Sequence, residues 1–150
     1  MLHAINAEGV PLGKRWCGPG AVSALTGVPL KDTTAKLSFI AGQRYDEAKE
    51  FWTEDVILAL NDLGYRANEI NLRGRYPKLR AGPTLHRFFA ERSAYETAMP
   101  MLVVLHKHFL TAHWGYACDN WTMRPVHISD FPKLNRFVTH AFIISPKKGT

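Results

Sequence analysis

Cys17 opens a run of small residues, Cys-Gly-Pro-Gly-Ala-Val-Ser-Ala-Leu, that closes on Gly27. A cysteine at the start of a helix is placed for nucleophilic chemistry. Unpaired first-turn amides and the helix dipole favour a thiolate there, and the thiolate is the attacking species. Gly18 lets a substrate come close to the backbone, and the Cys17 backbone N–H can bind an oxyanion. Position alone favours a buried structural cysteine, because cysteine is among the most buried residue types; its neighbours change that reading. A nucleophile also needs a base. His108 follows an apolar segment and opens the stretch His-Phe-Leu-Thr-Ala-His-Trp-Gly-Tyr-Ala-Cys-Asp-Asn. An imidazole at a strand end facing a helix terminus suits a Cys–His pair, acting first as general base and then as general acid. Its far ring nitrogen needs a third group to orient it. Asp119 and Asn120 follow eleven and twelve residues later. If the two strand segments between them pair, the end of the second returns beside the start of the first, and Asp119 reaches His108.

The elements that must hold these residues are partly legible. Pro19 is tolerated in a first helical turn, where its missing N–H would be unpaired anyway. The pattern therefore predicts a short buried helix over Cys17–Leu25, stopped by Gly27 and Pro29. A second short helix is expected over Thr33–Ile40. A third is expected over Thr53–Leu63, with Thr53 as cap, Glu54 and Asp55 in the first turn, and Val56, Ile57, Leu60 and Leu63 at helical spacing. Ala67–Leu72 alternates weakly, as a strand would. Leu72–Gly82 reads as an exposed basic loop. Pro83–Ser93 reads as a helix with Leu85, Phe88 and Phe89 facing inward. The period then changes to two. Strands are expected over Met101–His106, His108–Ala117 and Phe137–Ile144, with a turn or bulge at Trp114-Gly115. Helices first and strands afterwards give an α+β fold with an antiparallel sheet.

Two of these stretches resemble a known family. Trp-Cys-Gly-Pro-Gly-Ala-Val-Ser-Ala-Leu-Thr-Gly, beginning at Trp16, is similar to the nucleophile helix of papain-like cysteine peptidases. It resembles most the compact bacterial and phage forms and the bacteriocin-processing group. The stretch from Lys107 to Asn120 resembles their histidine motif. The helix ending in Leu63-Gly64-Tyr65 resembles their middle helix. The likeness runs from about Cys17 to Asn120 in the chain order Cys, His, Asp. It implies a papain-like fold with the nucleophile helix packed on an antiparallel sheet. It also implies Cys17 as nucleophile, His108 as base and Asp119 as the orienting residue. A peptide or protein substrate and no cofactor go with it. The sequence departs from the pattern at two positions. The glutamine that these families often place about six residues before the cysteine, as an oxyanion donor, is Pro11. Asn6 or a backbone amide must serve instead, with Trp16, Gly18 and Asn120 as further candidates for the cleft. The usual glycine before the histidine is Lys107.

Composition bounds the remaining possibilities. A chain of 150 residues with 46% hydrophobic and 21% charged residues is read as one domain over 1–150 that buries a core without staples. Its longest apolar run, Ala98 to Leu105, contains Pro100 and is too short to span a bilayer, so no membrane partner is expected. The first residues lack a basic segment followed by an apolar one, which predicts a cytoplasmic setting, that of a bacterial or phage-infected cell if the resemblance holds. Two cysteines exclude a disulfide scaffold and fit a reducing compartment. The net charge is +6, and Arg66–Arg92 alone carries +5. Such a face suits solvation or an acidic partner. No nucleic-acid module accompanies it, so nucleic acid is not the expected partner.

Other readings compete. His106 and His108 alternate onto one strand face. With His113, His127 or Cys118 they could hold zinc, and His140 lies on another strand. No ligand spacing is strong, and zinc leaves the Cys-Gly-Pro helix unexplained, so no metal is assigned. His106 is the second candidate for the base. Cys118, Trp114, Tyr116 and Trp121 read as core. The leading expectation is a thiol hydrolase acting on a peptide, isopeptide or related amide bond through an acyl-enzyme. The alternatives are a catalytically weak or inactive binding module that uses the basic surface, and an acyl transferase or deamidase using the same three residues.

Overall fold

Gly27 ends the first helix for a reason visible in its backbone. Its φ is 80°, and its N–H bonds the Ser23 carbonyl, a left-handed cap that glycine adopts without steric penalty. A computed structural model of the chain describes residues 1–42 and 51–147, and in it this helix, α1, spans Cys17–Thr26. Gly18 through Leu25 are all buried, as expected for small residues that let neighbours approach. Inside, the Ser23 and Thr33 hydroxyls meet at 2.9 Å, and Thr33 Oγ1 lies 3.1 Å from the Pro19 carbonyl oxygen. Buried polar groups are thereby satisfied, and α1 is tied to α2.

Helix α2 spans Leu30–Ala41 and starts three residues earlier than expected, directly after Pro29. Helix α3 spans Thr53–Asp62. Thr53 is not its cap. Trp52 holds that position, and the Asp55 carboxylate accepts the Trp52 N–H at 3.1 Å.

Six antiparallel strands form one sheet in the order β1-β6-β2-β3-β4-β5. They are β1 (Tyr65–Glu69), β2 (Met101–Leu105), β3 (His108–His113), β4 (Tyr116–Cys118), β5 (Val126–His127) and β6 (Val138–Pro146). The expected α+β class with an antiparallel sheet is therefore the observed one. Both faces of the sheet are covered. Leu102, Val104, Phe109, Cys118, Phe142 and Ile144 pack with α1, α2 and α3. Met101, Val103, Leu105, Leu110, Ala117 and Ala141 pack on the other side, with Leu85, Phe88 and Phe89 of α5 (Leu85–Ala90). Burial on both faces explains why β2 reads as an unbroken apolar run.

Several expectations need correction. Leu72–Gly82 is not simply an exposed loop: it opens with α4 (Leu72–Arg75), and Leu72 and Tyr76 are buried in the second core. The expected strand over Ala67–Leu72 begins earlier and stops at Glu69. A helix not foreseen, α6, spans Ala94–Ala98 under a capping box in which Ser93 and Glu96 satisfy each other's backbone N–H groups. Strand β5 was not foreseen either. Trp114, Tyr116 and Trp121 are not core: they are 53%, 50% and 70% exposed. Cys118 is fully buried, as expected. Among the described residues no helix is long and apolar enough to cross a membrane.

Candidate active site

Cys17 is the first residue of α1, behind Trp16 at the cap. The backbone N–H groups of Phe109, Cys17 and Gly18 favour the anionic sulfur. Burial nevertheless outweighs them and pushes the Cys17 thiol up from its ordinary value, and the negative charge of Asp119 adds to that rise.

His108, the first residue of β3, is nearly buried. Its Nε2 lies 2.8 Å from Asp119 Oδ2. A proton on Nε2 donated to that carboxylate leaves Nδ1 as the ring's remaining acceptor. The β3–β4 hairpin makes the meeting possible. Thr111 pairs with Cys118, so the chain leaving β4 runs back along β3 towards His108. Preceding His108, Lys107 holds a φ of 57° in the β2–β3 turn. A glycine suits that conformation, which explains why a lysine there stands out.

Asp119 has no exposed surface. Its Oδ1 accepts the N–H groups of Trp121 and Thr122, each at 2.9 Å. Its Oδ2 accepts from His108 and from Lys133 Nζ at 3.0 Å. Burial works to raise its pKa. The bonds from His108, the Thr122 backbone and Lys133 overcome burial and hold the carboxyl well below the usual carboxylate range. The Trp121 ring stands 6.2 Å from the imidazole, and Lys133 Nζ lies 3.5 Å from the centre of the Trp121 ring. Sequence reasoning missed Lys133. It sits fourteen residues beyond Asp119, in a loop held by bonds from the first turn of α5: Leu85 N–H to Arg136 O and His86 N–H to Leu134 O.

The sulfur and the imidazole open onto one cleft of about 530 Å³. Its floor is a row across three strands, in which Phe109 pairs with Val104 and Val104 with His140. Its opposite wall is Phe51, Thr53, Glu54 and Ile57. His140 Nδ1 bonds Glu69 Oε2 at 2.9 Å, and both residues also line the cleft.

The remaining candidates distribute unevenly. Asn6 is exposed, outside the cleft lining, and its Oδ1 accepts the Glu8 N–H. It is not positioned as an oxyanion donor. Asn120 donates to the Arg15 carbonyl at 2.8 Å and packs on α1, where a Cβ on Gly20 would stand 3.1 Å from its own. It anchors the Asp119 loop against α1 and does not line the cleft. Trp16 packs on Phe51 with ring centres 5.8 Å apart and does not line the cleft. Gly18 leaves room for Phe51, whose ring a Cβ there would approach to 3.2 Å. The N–H groups of Cys17 and Gly18, in the first turn of α1, have no carbonyl within that helix to bond. His106 lies in the turn outside β3, not on its face. Among the described residues no three His, Cys, Asp or Glu side chains gather as a metal site.

The fold and this geometry define an α+β protein of papain-like architecture. Among solved structures the chain is similar to a double glycine motif protease from an AMS/PCAT transporter, solved in complex with the leader peptide. The match covers 97% of this chain and 94% of that one, with a TM-score of 0.51 and 14% identity. No family model and no curated protein matches.

Proposed function

We propose that the protein is a cysteine peptidase-like hydrolase that cleaves a peptide, isopeptide or related amide bond. The observation that carries this reading is the pairing of His108 with a buried, ionised Asp119 at the cleft onto which Cys17 opens. His108 Nδ1 takes the Cys17 proton as the sulfur attacks the substrate carbonyl carbon. The oxyanion of the tetrahedral intermediate accepts the Cys17 backbone N–H. Collapse breaks the C–N bond, and the imidazolium gives its proton to the leaving amine. Water then attacks the thioester while His108 takes its proton, and that proton returns to the sulfur as the acid leaves. Acid–base help of this kind is worth about 10²–10⁴-fold.

The cleft wall and floor suit an extended peptide. Beyond the Glu69–His140 pair lie two smaller grooves, both lined by Arg73 and one also by Arg80. Arg75 and Arg87 are engaged by Glu96 and Glu91, whereas among the described residues no carboxylate pairs with Arg73 or Arg80. An acidic stretch of substrate or partner suits that extension. A reducing cytoplasm suits a chemistry that needs Cys17 as a thiol. Acyl transfer and glutamine deamidation use the same acyl-enzyme and differ in acceptor or substrate group. The lack of a side-chain oxyanion donor at Pro11 favours, as a second reading, a binding module with weak or no catalysis.

A complex peptide library incubated with the wild type and with Cys17→Ala tests the proposal. New peptide termini found by mass spectrometry with the wild type alone support hydrolysis. Masses shifted by deamidation or transfer point to those reactions. Identical peptide profiles with both proteins overturn the catalytic reading.

A further inference from the structure

Lys133 belongs to no motif, yet its ammonium is buried, with 7% of the side chain exposed. Burying an ammonium is costly unless its charge is met. Here Asp119 Oδ2 meets it at 3.0 Å, and that same oxygen accepts His108 Nε2 at 2.8 Å. The Trp121 ring covers the ammonium at 3.5 Å. We propose that Lys133 is a positioning residue of the thiol chemistry, acting through Asp119 to offset the attraction of that carboxylate for an imidazolium on His108. The inference rests on the reading of Cys17, His108 and Asp119 as the reacting set.

The argument is Coulombic. A carboxylate facing an imidazole stabilises the protonated ring. A second cation on the same oxygen weakens that stabilisation, and in a site shielded from water the effect is little screened. A proton that His108 takes from Cys17 is then held less tightly and passes on readily to a leaving amine. Burial, which pushes the Cys17 thiol up, likewise favours the protonated sulfur. The charged and titratable groups around the ring are Cys17 from α1, Asp119 just after β4, and Lys133. Lys107, Glu54, Glu69 and His140 line the same cleft. Among the described residues, Lys133 is the cation that shares the Asp119 oxygen with His108.

The test follows the rate of Cys17 alkylation by iodoacetamide against pH in the wild type, Lys133→Met and Lys133→Arg. Removing the cation favours the thiolate–imidazolium pair. The ratio of the rate near pH 6 to that near pH 9 is therefore expected to rise by about fivefold or more in Lys133→Met. Lys133→Arg keeps the charge and is expected to stay within about twofold of the wild type. A purely structural role changes the rate equally at both pH values. That result, or a Lys133→Arg profile matching Lys133→Met, overturns the proposal. Nitrogen NMR of the wild-type imidazoles reads the same claim without a substitution, should Lys133→Met fail to fold. A neutral His108 ring protonated on Nε2 near pH 7 supports it, and an imidazolium overturns it. If wild-type Cys17 is no more reactive than Cys118, the reading beneath the proposal falls and the proposal with it. If Cys17 is reactive but the pH ratio does not move, the role of Lys133 alone falls.

Discussion

His108 Nε2 and Asp119 Oδ2 stand 2.8 Å apart, although eleven residues separate them in the chain. The tight β3–β4 hairpin brings them together, and two backbone N–H groups on the other carboxylate oxygen fix the acid. Fixing the acid fixes the ring. With Nε2 held against Asp119, Nδ1 is the ring's other nitrogen.

Asp119 also couples the site to acid stability. Unfolded, it takes a proton near its ordinary value of 3.8. Folded, its carboxyl lies well below that. Its contribution to stability is therefore present above about pH 4 and is lost as pH falls through the lower folded value. Asp119→Asn is expected to lose about 3–5 kcal/mol at neutral pH, because Lys133 is left buried without its counter-ion. The same variant should show a flatter decline of stability below about pH 4. Urea denaturation at several pH values measures both.

Lys107 should be a strained position. At a φ of 57° a residue with a side chain pays about 1–2 kcal/mol that glycine does not. The greater freedom of glycine in the unfolded chain returns about 0.4–1 kcal/mol of this. Lys107→Gly is thus expected to stabilise the protein by about 0.5–1 kcal/mol, read as a raised urea midpoint with an unchanged slope.

The basic stretch divides into structural and free charges. Arg75 grips Glu96 with two bonds, of 2.9 and 2.6 Å, and the Glu96 side chain is 8% exposed. Because Arg75 itself is a third exposed, Arg75→Met is expected to cost about 1–3 kcal/mol, below the figure for a fully buried pair. Arg73→Met and Arg80→Met should stay within about 0.5 kcal/mol of the wild type. Denaturation midpoints of the three variants decide the point.

Local chemistry explains which parts of this were legible beforehand. The placing of Cys17, His108 and Asp119 at element ends could be read because neighbours mark each end: Pro19 and Gly27 around the helix, an apolar strand before the histidine, a hairpin before the acid. Lys133 could not be read. It reaches Asp119 through a loop whose place is set by α5, a tertiary relation with no period in the sequence. Asn6 lies outside the cleft lining, because a residue's type does not fix where its backbone runs. Trp114, Tyr116 and Trp121 read as core from their apolar bulk, but bulk does not say which way a turn residue faces. Trp114 sits in the β3–β4 turn with a φ of 54°. The Ser93-x-x-Glu96 spacing does carry the signal of α6, masked by the apolar run that begins at Ala98. Helix α2 starts early because Pro29, read as a stop for α1, is also the cap of the next helix.

The most direct measurement is the rate of iodoacetamide labelling at each cysteine near pH 7, mapped by mass spectrometry in the wild type and His108→Ala. Cys118 is fully buried, and burial pushes its thiol up to about 12, so it serves as an internal reference. Cys17 is expected to label at least about tenfold faster than Cys118, and to lose at least about tenfold of its rate in His108→Ala. Equal labelling of the two cysteines, or a Cys17 rate untouched by the loss of His108, contradicts the assignment of Cys17 as a nucleophile activated by that imidazole.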